Sequence, residues 1–235
     1  MSVVMRPGRE RLQVKAVLFD LDNTLLDRTA TFRLFTEKLL DRYGDGASAN
    51  EREAMIEEIR IADEDGYKNK RELFTELLNS PSIKWSGRPG SAEELMAFYR
   101  EHYVCSARLM ETAAELLARC RPKYKLGLIT NGRTAIQYGK IDRLSLRGSF
   151  DFIAVSEEAG VKKPDLRIFR LALDGLGVAP EEAVYIGDHP VNDMGGADAA
   201  GMRTIWLRRN QPWPESLKVV PYAAVDTLRE LFDLL

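Results

Sequence analysis

The chain has 235 residues, a mass of 26.6 kDa and a formal net charge of -2. One large domain or two small ones are expected, since about 100–200 residues per domain is usual. Apolar residues at 45% and charged residues at 30% exclude a disordered or low-complexity chain, and 34 Lys+Arg against 36 Asp+Glu leave no global positive field for a nucleic-acid polymer.

The N-terminus, MSVVMRPGRERLQ, has no continuous apolar stretch and does not read as a signal peptide. No apolar run approaches the ~18 residues of a membrane span, so a cytoplasmic protein without membrane contact is expected. The first element is VKAVLF (Val14–Phe19), short, nearly unbroken and rich in branched apolar residues. That pattern suits a strand buried on both faces of a parallel sheet.

The interval from Leu26 to Cys105 holds no convincing strand. Four amphipathic stripes occupy it. Phe32, Phe35, Leu39, Leu40 and Tyr43 mark the first, and Met55, Ile56 and Ile59 the second. Leu73, Phe74, Leu77 and Leu78 mark the third, and Leu95, Phe98 and Tyr99 the fourth. The breakers between them are GDGAS (Gly44–Ser48), DGYKN (Asp65–Asn69) and SGRPGS (Ser86–Ser91).

From there strand and helix alternate. Leu109, Ala113, Leu116, Leu117 and Cys120 form a helical stripe before Pro122, and KLGLIT (Lys125–Thr130) and FIAVS (Phe152–Ser156) read as strands. Asp165 is a candidate cap for a helix carrying Ile168, Leu171, Ala172 and Leu176, ended by Gly175 and Gly177. AVYIGD (Ala183–Asp188) and RTIWL (Arg203–Leu207) are two more strands. A last helix is expected after a cap at Asp226, with Leu228, Leu231, Phe232 and Leu235 as its stripe. The pattern predicts an α/β fold, a doubly wound parallel sheet spanning 1–25 and 106–235, interrupted by a helical insert over 26–105. Cys105 and Cys120 are expected to be free, buried thiols, because they form no CxxC pair and have no histidine cluster to complete a zinc site.

The chemistry concentrates where strands end. Ligands of an open parallel sheet bind beyond the carboxyl ends of its strands. Asp20 and Asp22 follow the first strand, and Asp188 and Asp193 follow AVYIG. Asp20 and Asp22 share one cavity if the chain stays extended. Carboxylates that close repel one another and call for a cation, and Mg²⁺ is hard and oxygen-seeking. Gly187 lets the backbone approach a ligand. Thr130, Asn131 and Gly132 offer a hydroxyl, an amide and backbone N–H groups to phosphate oxygens. Lys163, before Pro164, can neutralise a nucleophile and a transferring group together.

DLDNT at 20–24, TNG at 130–132, Lys163 and GDHPVND at 187–193, in that order, resemble the four motifs of the haloacid dehalogenase-like (HAD) superfamily of phosphohydrolases. The insert resembles the C1-type helical cap of that family, and GGADAAGMRTIW (Gly195–Trp206) is also similar to family sequence. The resemblance implies a Mg²⁺-dependent phosphatase of a small phosphorylated metabolite. It makes Asp20 the nucleophile that becomes an aspartyl-phosphate, and Asp22 the general acid and then base. It gives Thr130, with the backbone N–H of Asn131, to the phosphoryl oxygen, and Lys163 to the nucleophile and phosphoryl group. Mg²⁺ would be held by Asp20, the main-chain carbonyl of Asp22 and Asp188, with Asp193 supporting a metal water or Lys163.

Other residues are read more plainly. The Thr24 hydroxyl is expected to fasten the turn after Asp22, and His189 to orient its loop or lie at the surface. Asp193 is also a candidate helix cap. His102 and Cys105 are expected to pack. In the loop GYKNKR (Gly66–Arg71), Tyr67, Lys70 and Arg71 either sit on a solvated connection or read the substrate, and Arg88 is a weaker candidate of the same kind. A phosphomutase or dehalogenase of the same fold, a receiver-like phospho-acceptor and a non-catalytic scaffold are the competing functions. Asp22 argues against a dehalogenase, which has no leaving alcohol to protonate. Monomer and homodimer both remain open.

Overall fold

The computed structural model describes residues 4–5, 12–46, 48–86 and 89–235. Most of the N-terminal segment assessed for a leader, and Arg88, lie outside the described residues. The chain divides into two compact units, Met1–Asp27 with Leu109–Leu235, and Arg28–Arg108. No described helix is long and apolar enough to cross a membrane.

The first unit is built on a sheet of β1 (Val4–Met5), β2 (Ala16–Phe19), β3 (Lys125–Thr130), β4 (Phe152–Val155), β5 (Ala183–Gly187), β6 (Arg203–Leu207) and β7 (Ala223–Val225). Their order is β1-β7-β6-β5-β2-β3-β4. All neighbours pair in parallel except β1, which runs antiparallel to β7. This is an α/β, Rossmann-like fold. Strand β2 lies between β5 and β3, with Phe19 level with Leu128 of β3 and Ile186 of β5. The residues just beyond these strands therefore emerge side by side. All four residues of β2 and all five of β5 are buried, which is why both read as continuous apolar runs. Strand β7 gave no such signal, because AAV is short and alanine has little β-propensity.

The second unit contains α1 (Arg28–Tyr43), α2 (Ala49–Ala62), α3 (Lys70–Asn79) and α4 (Ala92–His102). The expected stripes are its core, with Leu39, Ile59, Leu73, Phe74 and Leu95 fully buried. Burying one such side chain contributes about 1.5–3 kcal/mol. Phe35 packs edge-on against Tyr99 at 5.3 Å, and His102 lies 4.1 Å from the Phe98 ring. The breakers also supply caps: Ser48 forms a capping box with Glu51, and Asn69 and Ser91 accept from Arg71 and Glu94 backbone N–H groups. Cys105, expected to be buried, is exposed; it falls in the 3-10 turn Val104–Ser106 past the end of α4, beyond that helix's stripe. Cys120 is buried as expected.

The first unit adds α5 (Ala113–Cys120), α6 (Thr134–Arg143), α7 (Ser156–Ala159), α8 (Leu166–Leu176) and α9 (Gly196–Ala199). Helix α8 has the expected cap, Asp165, and ends at Gly177 in the left-handed conformation. Gly175 lies inside it instead of ending it, where a Cβ would meet the Phe152 ring at 2.2 Å. The last expected helix is a 3-10 segment, Leu228–Asp233, whose cap is Thr227 paired with Glu230. Asp226 is taken by Arg208, at 2.6 and 2.8 Å. Buried Leu228 and Leu231 are three apart, the period of a 3-10 helix.

Candidate active site

Asp20 continues β2, its N–H donating to the Ile186 carbonyl at 2.9 Å. The chain then turns, with the N–H groups of Leu25 and Leu26 both donating to Leu21 O, so it does not stay extended through Asp22. The Thr24 hydroxyl does not fasten this turn. It is buried without a hydrogen-bond partner among the described residues, and the Thr24 N–H makes the contact instead, to Leu21 O at 3.3 Å.

Lys163 is the centre of the site. Its Nζ donates to Asp20 Oδ1 at 2.6 Å, to Asp193 Oδ1 at 2.6 Å and to the Tyr185 hydroxyl at 3.0 Å. Lys163 is buried, whereas Lys162 beside it is exposed. The Asn131 amide grips the Lys163 main chain. Its Oδ1 accepts the Lys163 N–H at 2.9 Å and its Nδ2 donates to the Lys163 carbonyl at 3.1 Å. The tip of β3 thereby places the lysine, while the Gly132 N–H donates to Ser156 Oγ at 3.0 Å.

Asp193 lies on a π-helical turn, Pro190–Gly195. Its Oδ2 accepts the His189 N–H at 2.9 Å, and the Tyr185 hydroxyl lies 3.3 Å from its Oδ1. His189 orients this loop: its Nδ1 accepts from the Val191 and Asn192 N–H groups, each at 3.1 Å. Gly187 serves an internal approach. A Cβ there would stand 2.4 Å from Asp193 Oδ2. The Asp188 carbonyl accepts from Trp206 Nε1 at 2.8 Å.

An oxygen of each of Asp20, Asp188 and Asp193, all buried, lies within 4.8 Å of the others. Burial pushes the Asp20 carboxyl up to about 7 against the pull of Lys163, and the Asp193 and Asp22 carboxylates push it the same way. Burial alone would discharge Lys163, but Asp193 and Asp20 outweigh it and hold the ammonium well above the ordinary lysine value. Crowded hard oxygen donors suit a small divalent cation, so these residues fit Mg²⁺.

The Asp22 carboxylate faces a group that sequence reasoning missed. Lys140 Nζ donates to both Asp22 oxygens at 2.8 Å, and Gln137 Nε2 donates to Asp22 Oδ2 at 3.0 Å. Gln137 Nε2 also bonds the Thr130 hydroxyl. In the helical unit, Lys70 Nζ lies 2.6 Å from Asp63 Oδ1, and Asp63 Oδ2 accepts from Arg28 at 2.6 Å. Arg71 pairs with Glu93 at the surface, and Tyr67 is 59% exposed.

Residues 17–207 match the family model described as haloacid dehalogenase-like hydrolase. The chain is 33% identical to phosphoserine phosphatase of Thermus thermophilus over 93% of its own length and 98% of that protein. It is 32% identical to glyceraldehyde 3-phosphate phosphatase of Methanopyrus kandleri, covering 94% of this chain and 97% of that one. The magnesium-bound putative HAD-hydrolase YfnB of Bacillus subtilis has the same fold, with a TM-score of 0.70 at 23% identity, over 95% of this chain and 99% of that one. The chain belongs to the haloacid dehalogenase-like hydrolase family. Within it, this is an enzyme of the phosphoric monoester hydrolase class.

Proposed function

We propose that this chain is a Mg²⁺-dependent phosphatase of a small phosphorylated metabolite, working through an aspartyl-phosphate on Asp20. The observation that carries the reading is Lys163, buried between Asp20 and Asp193 at 2.6 Å from each, with Asp188 completing the acidic cluster. Asp20 attacks phosphorus as the bond to the leaving oxygen breaks, and Asp22 gives that oxygen its proton. Water then attacks the same phosphorus, Asp22 takes its proton, and the Asp20–phosphorus bond breaks to release phosphate. Thr130 holds a phosphoryl oxygen, and Lys163 offsets charge on Asp20 and on the transferring group. Mg²⁺, held by Asp20, Asp188 and the main-chain carbonyl of Asp22, would add positive charge at the phosphoryl oxygens. Asp193 fixes Lys163.

The 26–105 insert is assigned the part of a C1-type cap. Choice of leaving group is assigned to its loop residues Tyr67, Lys70 and Arg71, of which Lys70 pairs with Asp63 and Arg71 with Glu93. The test is hydrolysis of p-nitrophenyl phosphate by the purified chain with Mg²⁺. Turnover is expected to vanish with EDTA and with Asp20→Asn. A rate that survives either change contradicts the proposal.

A further inference from the structure

Helix α6 carries two side chains that the reaction above does not use. Gln137 and Lys140, three residues apart, share its buried face. Lys140 is 3% exposed, yet its ammonium points at Asp22, whose side chain is 23% exposed. A partly solvated carboxylate gains little stability from a buried partner, and desolvating an ammonium is costly. An apolar residue at 140 would serve packing better.

The contacts leave this group little freedom. Lys140 Nζ donates to Asp22 Oδ1 and Oδ2 at 2.8 Å and to Gln137 Oε1 at 2.7 Å. An ammonium has only donors, so the amide oxygen of Gln137 must face it. The amide nitrogen of Gln137 then faces Asp22 Oδ2 at 3.0 Å, the Asn131 carbonyl at 3.1 Å and the Thr130 hydroxyl. The carboxylate that follows β2 and the hydroxyl that ends β3 are thus held in one frame, from one helix.

We propose that Lys140 and Gln137 are positioning residues that set the Asp22 carboxyl for its proton transfers and tie it to the phosphate-holding Thr130. This rests on the assignment of Asp22 as general acid and base. The proton passes from an Asp22 oxygen to the leaving oxygen as the phosphorus–oxygen bond breaks, and returns to Asp22 from the attacking water. Lys140 and Gln137 neither give nor take a proton. They fix the direction in which Asp22 faces, and small misplacement of such a group costs up to about 10²-fold in rate.

The test is kcat/KM for a series of aryl phosphates graded in leaving-group acidity, measured on the full chain with Mg²⁺. This quantity reports on steps through departure of the leaving group. Poor leaving groups need the acid, and p-nitrophenolate does not. Asp22→Asn is expected to make the dependence on leaving-group acidity steep. Lys140→Met is expected to steepen it in the same sense, phenyl phosphate losing about 10-fold more than p-nitrophenyl phosphate, a fraction of what acid–base help is worth. Lys140→Arg, which keeps a charge able to bridge both oxygens, is expected to restore much of the shallow slope.

Gln137→Met provides the same reading if Lys140→Met fails to fold. A steep slope for Asp22→Asn with a wild-type slope for Lys140→Met, or for Gln137→Met in its place, overturns the inference. So does an equal loss across all leaving groups, the mark of a purely structural role. A wild-type slope for Asp22→Asn overturns the acid assignment itself.

Discussion

Two lysines next to each other in sequence have opposite surroundings. Lys162 is exposed, while Lys163 is buried and reaches Asp20, Asp193 and Tyr185. Taking the charge from Lys163 would leave Asp20 and Asp193 facing each other without compensation, and phosphoryl transfer without its ammonium. Lys163→Met is therefore expected to lower turnover by about 10²–10³-fold, the usual cost of one electrostatic donor. Lys162→Met is expected to stay within about twofold, because an exposed charge away from the site contributes little. Equal losses in steady-state kinetics would show that the ammonium at Asp20 has no special part. Position before proline was enough to favour Lys163 over Lys162 from sequence. Gln137 and Lys140 had no such mark. Each is an ordinary polar residue in a string, and its part follows only from the distance to Asp22.

At the scale of elements, strands β2, β3, β5 and β6 were legible because burial on both faces leaves continuous apolar runs. Helix α6 was not legible, for the reason that makes it interesting. Its buried residues are Gln137, Lys140 and Ile141, so hydrophobic periodicity has almost nothing to register. The site it faces is polar, and a helix that serves a polar site need not be amphipathic in the usual sense. The β5–loop junction shows the converse. The glycine of GDHPVND was legible as a close approach, and Asp193 is a group that approaches it. Asp193 is pinned by Lys163 and by the His189 N–H, so it cannot give way. Gly187→Ala is expected to destabilise the chain by about 1–3 kcal/mol, as overpacking does, and to depress turnover together with it. Denaturant titration alongside kinetics checks this, and a variant of wild-type stability and rate would mean that the junction tolerates the shift.

Across the whole molecule, Asp20, Thr130, Lys163 and Asp188 come from segments far apart in sequence, and one sheet gathers three of them. Strands β2, β3 and β5 are neighbours in register, so Asp20, Thr130 and Asp188 reach the same edge. The side chain of Asn131 brings Lys163 to them. This gathering was legible from alternating strands and helices, whereas the substrate was not, because periodicity describes packing and not the side chains of loops. The proposed mechanism requires that Asp20 become phosphorylated during turnover. Borohydride reduces an acyl phosphate to an alcohol, so quenching the working enzyme with it and mapping peptides detects this phosphorylation directly. Reduction is expected at Asp20, only when substrate and Mg²⁺ are both present. Brisk phosphate release with the Asp20 carboxyl never reduced, or reduction at a different carboxylate, would contradict it.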